Sequence, residues 1–239
     1  MTDVKLALGW EAFLAQNSEQ PGGLFGIGDN LFWTHWPPGS ESYEAQAASI
    51  QALTTNVITA MAGAGAKRIL FDVSIDPTFK AWLASQGHTI TDRNASNKTT
   101  PLSVSTHDVF IYNGLNYLEI APGPDYITTG NNSVRDFILA GGTVIHGVDA
   151  NSFPSYSIPL YTAFGITQSN WPDHVFSNQT VNPYDVSGVP YFSGVTALNI
   201  GTSARYTALG TSPNGGTNYR WQGRVGAGTP EYIFAGWRP

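Results

Sequence analysis

The sequence predicts a doubly wound, mostly parallel α/β sheet with a β-rich C-terminal extension. Three observations carry that reading. Between residues 42 and 167, segments with helical apolar spacing alternate with segments of strand length. The strand-length segments are short continuous apolar runs, the pattern of parallel strands covered on both faces. Beyond residue 168 the texture changes to short β-prone pieces punctuated by Pro, Gly and Asn. At 239 residues the chain can build one large domain with a substantial core. The organisation expected is an irregular, aromatic and Gly-rich segment over 1–41, an α/β core over 42–167 and a β-rich extension over 168–239 packed on one edge of the same sheet.

The elements follow in order. Residues 1–39 read as a loop, because Phe25, Phe32, Trp33 and Trp36 stand among glycines and offer no ladder pattern. Such a loop is pinned by burying its rings. From Ser42 to Ala62 the residues Ile50, Leu53, Val57 and Met61 recur at helical spacing, and Gly63 and Gly65 end the run. Arg68 to Val73 is a buried strand. Asp76-Pro77 reads as an N-cap followed by proline at the first helical position, and Gly87 closes the helix that carries Phe79, Trp82 and Leu83. His88 to Thr91 and Asp108 to Tyr112 are the next strands. A helix from Asn132 to Ala140 stops at Gly141-Gly142 and releases the chain into the strand Thr143 to Val148. Ser157 to Gly165 forms a further short helix, and Pro213-Asn-Gly-Gly216 a tight turn. In the extension, the β-prone pieces are Val175-Phe176, Tyr191-Phe192, Ala197 to Ile200, Arg205 to Leu209 and Tyr232 to Ala235.

Composition narrows the functional classes. Charged residues make up 12% of the chain, half the usual share of about 25%. Aromatic residues reach 13%. Charge depletion with aromatic enrichment marks surfaces that bury themselves against a partner, so a homo-oligomer or larger assembly is expected. A net charge of -6, with the 11 basic residues scattered, argues against nucleic acid. No run approaches the length of a membrane span, and the N-terminus lacks the apolar core of a secretory signal. An extracellular or particle-associated location, reached without a classical signal peptide, fits the neutral coat; a cytoplasmic one stays open. The absence of cysteine excludes disulfides and thiol chemistry.

Four stretches carry a resemblance: Asp108-Val-Phe-Ile-Tyr-Asn-Gly114, Val134-Arg-Asp-Phe-Ile-Leu-Ala-Gly-Gly-Thr-Val-Ile-His146, Pro159-Leu-Tyr-Thr-Ala-Phe-Gly-Ile166 and Val189-Pro-Tyr-Phe-Ser-Gly-Val-Thr-Ala-Leu198. Over roughly residues 66 to 210 the chain resembles the class I glutamine-amidotransferase-like superfamily, with its flavodoxin-like frame. Its divergent members of the trehalose-utilisation type and the accessory domains of surface metallopeptidases are the nearest in pattern. The resemblance implies a nucleophile elbow, Gly-X-Cys-X-Gly, at the end of the strand Thr143 to Val148. Here that turn reads His146-Gly-Val-Asp-Ala150. Without a thiolate, glutaminase chemistry is excluded.

What remains at that strand end is a His and an Asp three residues apart. His146 and Asp149 could serve as base and orienter, or as two metal ligands. The plainer reading has Asp149 capping the turn and His146 hydrogen-bonded inside the core. Asn113 and Asn116, at the end of the strand that precedes it in the chain, together with Trp171, His146 and Asp149, form the candidate ligand set, since open α/β sheets bind ligands at the carboxyl ends of their strands. No cofactor and no metal is implied.

Three functions follow from different classes. The first is a pseudoenzyme, a structural or surface-exposed building block that self-associates through Phe32, Trp33, Trp36, Trp221, Phe234 and Trp237. The second is a carbohydrate-binding module that uses its tryptophans as platforms for sugar rings. The third is a sugar-acting hydrolase or isomerase working at the His146/Asp149 corner. The first is the expectation carried forward.

Overall fold

Ile50, Leu53, Val57 and Met61 form the apolar seam of the longest helix, α1 (Tyr43–Ala62), and all four are buried. The helix has a kink at Gln46, whose backbone is non-helical at φ -127°, ψ 17°. Gly63 then stops it in the left-handed region at φ +81°, a conformation that a side chain disfavours. The computed structural model describes residues 22–27, 32, 43–71, 75–93, 102–113, 134–147, 174–175, 179–180, 182–183, 191–196, 198–200, 205–206, 219–225 and 231–237.

Within these, β1 (Gly23–Ile27), β2 (Arg68–Phe71), β3 (Thr89–Asp92), β4 (Val109–Asn113) and β5 (Thr143–Gly147) make a parallel sheet in the order β3-β2-β4-β5-β1. Helix α2 (Pro77–Ser85) lies between β2 and β3 in the chain, and α3 (Val134–Leu139) between β4 and β5. This is an α/β fold. Further along come β6 (His174–Val175), β7 (Gln179–Thr180), β8 (Asn182–Pro183), β9 (Asn199–Ile200), β10 (Arg205–Tyr206), β11 (Tyr219–Val225) and β12 (Glu231–Trp237). Strands β12, β11 and β8 continue the large sheet antiparallel beyond β1, whereas β6 pairs with β10 and β7 with β9.

The strand expected over residues 143–148 occupies an interior position, with β4 on one side and β1 on the other. The neighbour β1 is the main correction to the expected organisation. Residues 23–27 lie in a segment read as an irregular loop, yet they form a fully buried strand laddered on both edges. Two glycines in five residues leave no alternation to detect, and the strand state comes from neighbours far away in sequence. A second correction concerns Tyr191-Phe192, expected in a strand. Residues 191–194 form a turn that docks on α1: Asn56 Nδ2 donates to the carbonyls of Tyr191 and Ser193, each at 2.8 Å, and the hydroxyls of Ser49 and Thr196 lie 3.3 Å apart. The expected helix over 157–165 and the turn over 213–216 lie outside the described residues.

Alternation along the parallel strands separates two faces. Phe25, Ile27, Ile69, Phe71, Val109, Ile111 and Ile145 join the seam of α1, Phe79 and Leu83 of α2, Tyr191 and Leu198 in one hydrophobic cluster. Leu24, Leu70, Phe110, Tyr112, Val144 and His146 alternate with them and are also buried, outside that cluster. Helix α3 packs on β5 and β1. Phe79 is the hub of the first face, with Phe32 stacked on it at 5.2 Å, Tyr43 tilted at 5.1 Å, Trp82 stacked at 5.7 Å and Phe71 edge-on at 6.1 Å between ring centroids.

Local chemistry sets the ends of the elements. Asp76 caps α2 as expected: its Oδ1 accepts from the backbone N–H of Thr78 at 2.7 Å and of Phe79 at 3.2 Å, with Pro77 opening the first turn. At the opposite end of the sheet, Arg68 and Asp108 make a forked pair, Nη2 to Oδ1 at 2.6 Å and Nε to Oδ2 at 3.2 Å. Asp108 also accepts from the Arg68 backbone N–H at 2.8 Å. The same guanidinium donates to the carbonyls of Ser105 and Val104, so it binds the start of β2 to the turn before β4.

Candidate functional site

The carboxyl end of β5 is where the sequence places its chemistry, and the ladder fixes what stands there. In register, Tyr112 of β4 faces His146, and Gly26 of β1 faces it from the other side. The two rings stack at 4.1 Å with an interplanar angle of 15°. Tyr112 stacks in turn on Phe110 at 4.8 Å and 8°. A glycine at 26 leaves the β1 side of the imidazole without a side chain, so backbone lies beside it there.

His146 is 1% exposed. Burial pushes its pKa from the ordinary 6.5 down to about 3, because the imidazolium would lose its hydration inside the sheet. At neutral pH the ring is uncharged, and a group this weakly basic is a poor proton acceptor for catalysis near pH 7. The geometry makes it a packed member of the sheet face. The imidazole that the sequence offers as a candidate base is buried, in keeping with the plainer reading that sets it inside the core.

Of the other candidates, Asn113 ends β4 and pairs in register with Gly147 of β5. The strand ends thus bring positions 113 and 146 to the same rim. Asn116, Asp149 and Trp171 lie outside the described residues, as do Trp33 and Trp36. Trp221 lies on β11, in register with Ala235, while Phe234 and Trp237 of β12 pair in register with Ile27 and Leu24 of β1. Phe32 requires a correction. Named as a ring for self-association, it is 1% exposed and stacked on Phe79 inside the subunit. The signal was available in part, since Phe32 stands in a loop that must bury rings, but its partner lies in a helix that the sequence does not connect to it.

The chain matches no family model, no curated protein and no solved structure. Among the described residues, no three His, Asp or Glu side chains gather as a metal site needs. No described helix is long and apolar enough to cross a membrane. The residue that sequence reasoning missed is Tyr112: its place opposite His146 follows from ladder register, which a single sequence does not specify.

Two further histidines have lowered basicity. Burial, aided by the neighbouring Lys67 charge, lowers His88, whose Nδ1 accepts from the Lys67 backbone N–H at 3.0 Å. Burial, then Arg68, lowers His107. Asp108 is held below its ordinary 3.8 first by its hydrogen bonds from the Arg68 side chain. These groups stand at the start of β2 and β4 or in the adjoining turns, away from the carboxyl ends of the strands, and their contacts are those of a structural clamp.

Proposed function

We propose that this chain is a non-enzymatic building block on a doubly wound frame of the class I amidotransferase-like kind, and that it associates with copies of itself through neutral, aromatic-rich surface. The observation that carries the non-enzymatic half is the sealed stack of His146 on Tyr112. The corner that resembles a nucleophile elbow has no thiol, and its histidine is buried.

Strand order supports the frame. From β2 the chain steps outward to β3 with α2 on the Phe79 face, whereas from β4 it steps the other way to β5 through α3, whose buried Val134, Phe137 and Ile138 lie outside the Phe79 cluster. Opposite steps on opposite faces are what a constant right-handed crossover requires. The first four strands in the order β3-β2-β4-β5 then follow the flavodoxin-like arrangement, with β1 in the fifth position.

Association is supported by charge depletion and aromatic enrichment in the sequence. Phe25 and Phe32 are consumed by the core, and among the described residues the exposed large hydrophobics are Val104 and Leu139. Single residues of that kind are ordinary. The adhesive surface in this reading is that of the remaining rings named for it, Trp33, Trp36, Trp221, Phe234 and Trp237. Light scattering across a concentration series tests this. The expected result is a mass above 25.7 kDa that grows with concentration and falls back in a Trp221→Ser, Trp237→Ser variant. A 25.7 kDa monomer up to high micromolar concentration would defeat the reading.

A further inference from the structure

The large sheet ends on one side at β3, and among the described residues no strand lies beyond it. A strand in that position offers backbone donors and acceptors to any chain able to pair with it, and folded proteins ordinarily blunt it with proline, lysine, a bulge or a cover. Residues 89–91, Thr-Ile-Thr, carry none of the first three, and their register with β2 runs without a break. All three are uncharged and β-branched, the side chains that fit a pleated ladder best. We propose that β3 is a self-recognition edge: two copies of this chain join β3 to β3, antiparallel about a two-fold axis, and so fuse their sheets into one.

The ladder to β2 decides which groups face outward. Thr89 N–H donates to the Lys67 carbonyl at 2.9 Å and Arg93 N–H to that of Phe71 at 2.7 Å, so residues 89, 91 and 93 turn their backbone groups inward. By alternation, Ile90 and Asp92 turn theirs toward the edge. The side chains alternate as well. Ile90 packs half-buried against the Phe79 cluster, as does Trp82 of α2, and Asp92 takes Lys80 of α2 at 2.7 Å. Thr89 and Thr91 therefore stand on the opposite face.

Self-complementarity selects the register. Antiparallel pairing through the outward residues can centre on Thr91 or on Ile90. Centred on Thr91, it sets each Asp92 against an Ile90 side chain. Centred on Ile90, it sets the two isoleucines together and places each Asp92 opposite residue 88 of the second copy, a histidine, twice by symmetry. That match pairs an acceptor with a donor: His88 Nδ1 accepts from the Lys67 backbone N–H at 3.0 Å, so the neutral ring carries its proton on Nε2. The same axis brings both α2 helices to one face, where the half-buried Ile90 and Trp82 of each copy lie.

This edge adds to the self-association proposed above a surface that does not depend on the tryptophans named there. In the Ile90-centred register, Thr89 of one copy stands opposite Thr91 of the other, in a pair whose Cα atoms are about 4.5 Å apart and within reach of a disulfide. The chain has no cysteine of its own, so Thr89→Cys and Thr91→Cys proteins can be mixed and oxidised without background. Non-reducing electrophoresis should give a band at twice 25.7 kDa in the mixture, well above that of either variant alone. Combining Thr89→Lys with Thr91→Lys sets two like-charged pairs across the axis and should raise the dimer dissociation constant roughly tenfold by light scattering. Ile90→Pro removes an outward N–H and no bond to β2, so it should abolish the dimer while far-ultraviolet circular dichroism stays that of the parent. The Trp221→Ser, Trp237→Ser variant should fall back to the dimer, and to the monomer once the two lysines are added. If the parent associates but the cysteine mixture gives no more dimer than its components, the edge is refuted and the tryptophan surface stands. If the parent stays at 25.7 kDa, both are refuted. The cysteine mixture decides alone should Ile90→Pro not fold.

Discussion

Replacing Phe79 by alanine tests the packing argument most severely. Phe79 is fully buried and touches four aromatic rings with centroids 5.1 to 6.1 Å away, from the loop residue Phe32, from α1, from β2 and from its own helix. Truncating a phenylalanine in such a site costs about 3–5 kcal/mol through lost transfer energy and the cavity left behind. Each aromatic pair adds about 0.5–1.5 kcal/mol beyond burial, which places this residue in the upper half of that range. For a domain of this size the melting temperature should fall by roughly 8–20 °C. Urea unfolding followed by tryptophan fluorescence and far-ultraviolet circular dichroism gives the free energy. A double-mutant cycle with Phe32→Ala should return a coupling of about 0.5–1.5 kcal/mol that does not change with protein concentration. A loss below about 1 kcal/mol for Phe79→Ala, or a Phe32 effect that grows with concentration, would show that the ring cluster is not the organiser of this face and that Phe32 belongs to an interface between copies.

Two further substitutions probe the ends of the sheet. Gly142→Ala places a methyl group inside the Phe137 ring, so it should cost about 1–3 kcal/mol, and Phe137→Leu should relieve part of that in the double variant by urea unfolding. Asp108→Asn removes the carboxylate that Arg68 holds below its ordinary pKa. Because that pKa is depressed in the folded state, its stabilisation is present above about 3.8 and disappears as pH falls through the folded value. The parent should therefore exceed the variant in midpoint at pH 7, with the gap closing below pH 4, and a gap independent of pH would refute the linkage.

The legible parts of this fold are those whose signal is local. Helix α2 is announced by Asp76-Pro77 and closed by Gly87, and β2, β4 and β5 are apolar runs that need no partner to be recognised. Strand β1 is the opposite case. Gly23-Leu-Phe-Gly-Ile27 has weak intrinsic preference and becomes a strand because β5 and β12 offer ladders on both sides. Strand β11, in contrast, does carry a local signal, since Tyr219, Trp221 and Val225 alternate with Arg220, Gln222 and Arg224 at the period of a strand. The Tyr191 turn follows a related logic: paired aromatics favour a strand, whereas here Asn56 of α1 binds the carbonyls of Tyr191 and Ser193 in a turn. At the candidate site, the strand and its end were readable. The burial of His146 is in keeping with the plainer reading of the sequence, whereas its stack on Tyr112 is not legible there, because that depends on which residue lies opposite in the ladder.

The place of β1 also has a consequence in time. During synthesis it leaves the ribosome before either of its neighbours exists: β5 follows roughly 120 residues later and β12 roughly 210 residues later. At about 5–20 residues per second the strand waits roughly 6–24 s for its first partner and roughly 10–40 s for its second. A strand of strong β propensity left with two bare edges for so long would recruit whatever else was nearby. The glycines that hid β1 from sequence reading keep it reluctant to pair until the sheet on both sides is ready to receive it.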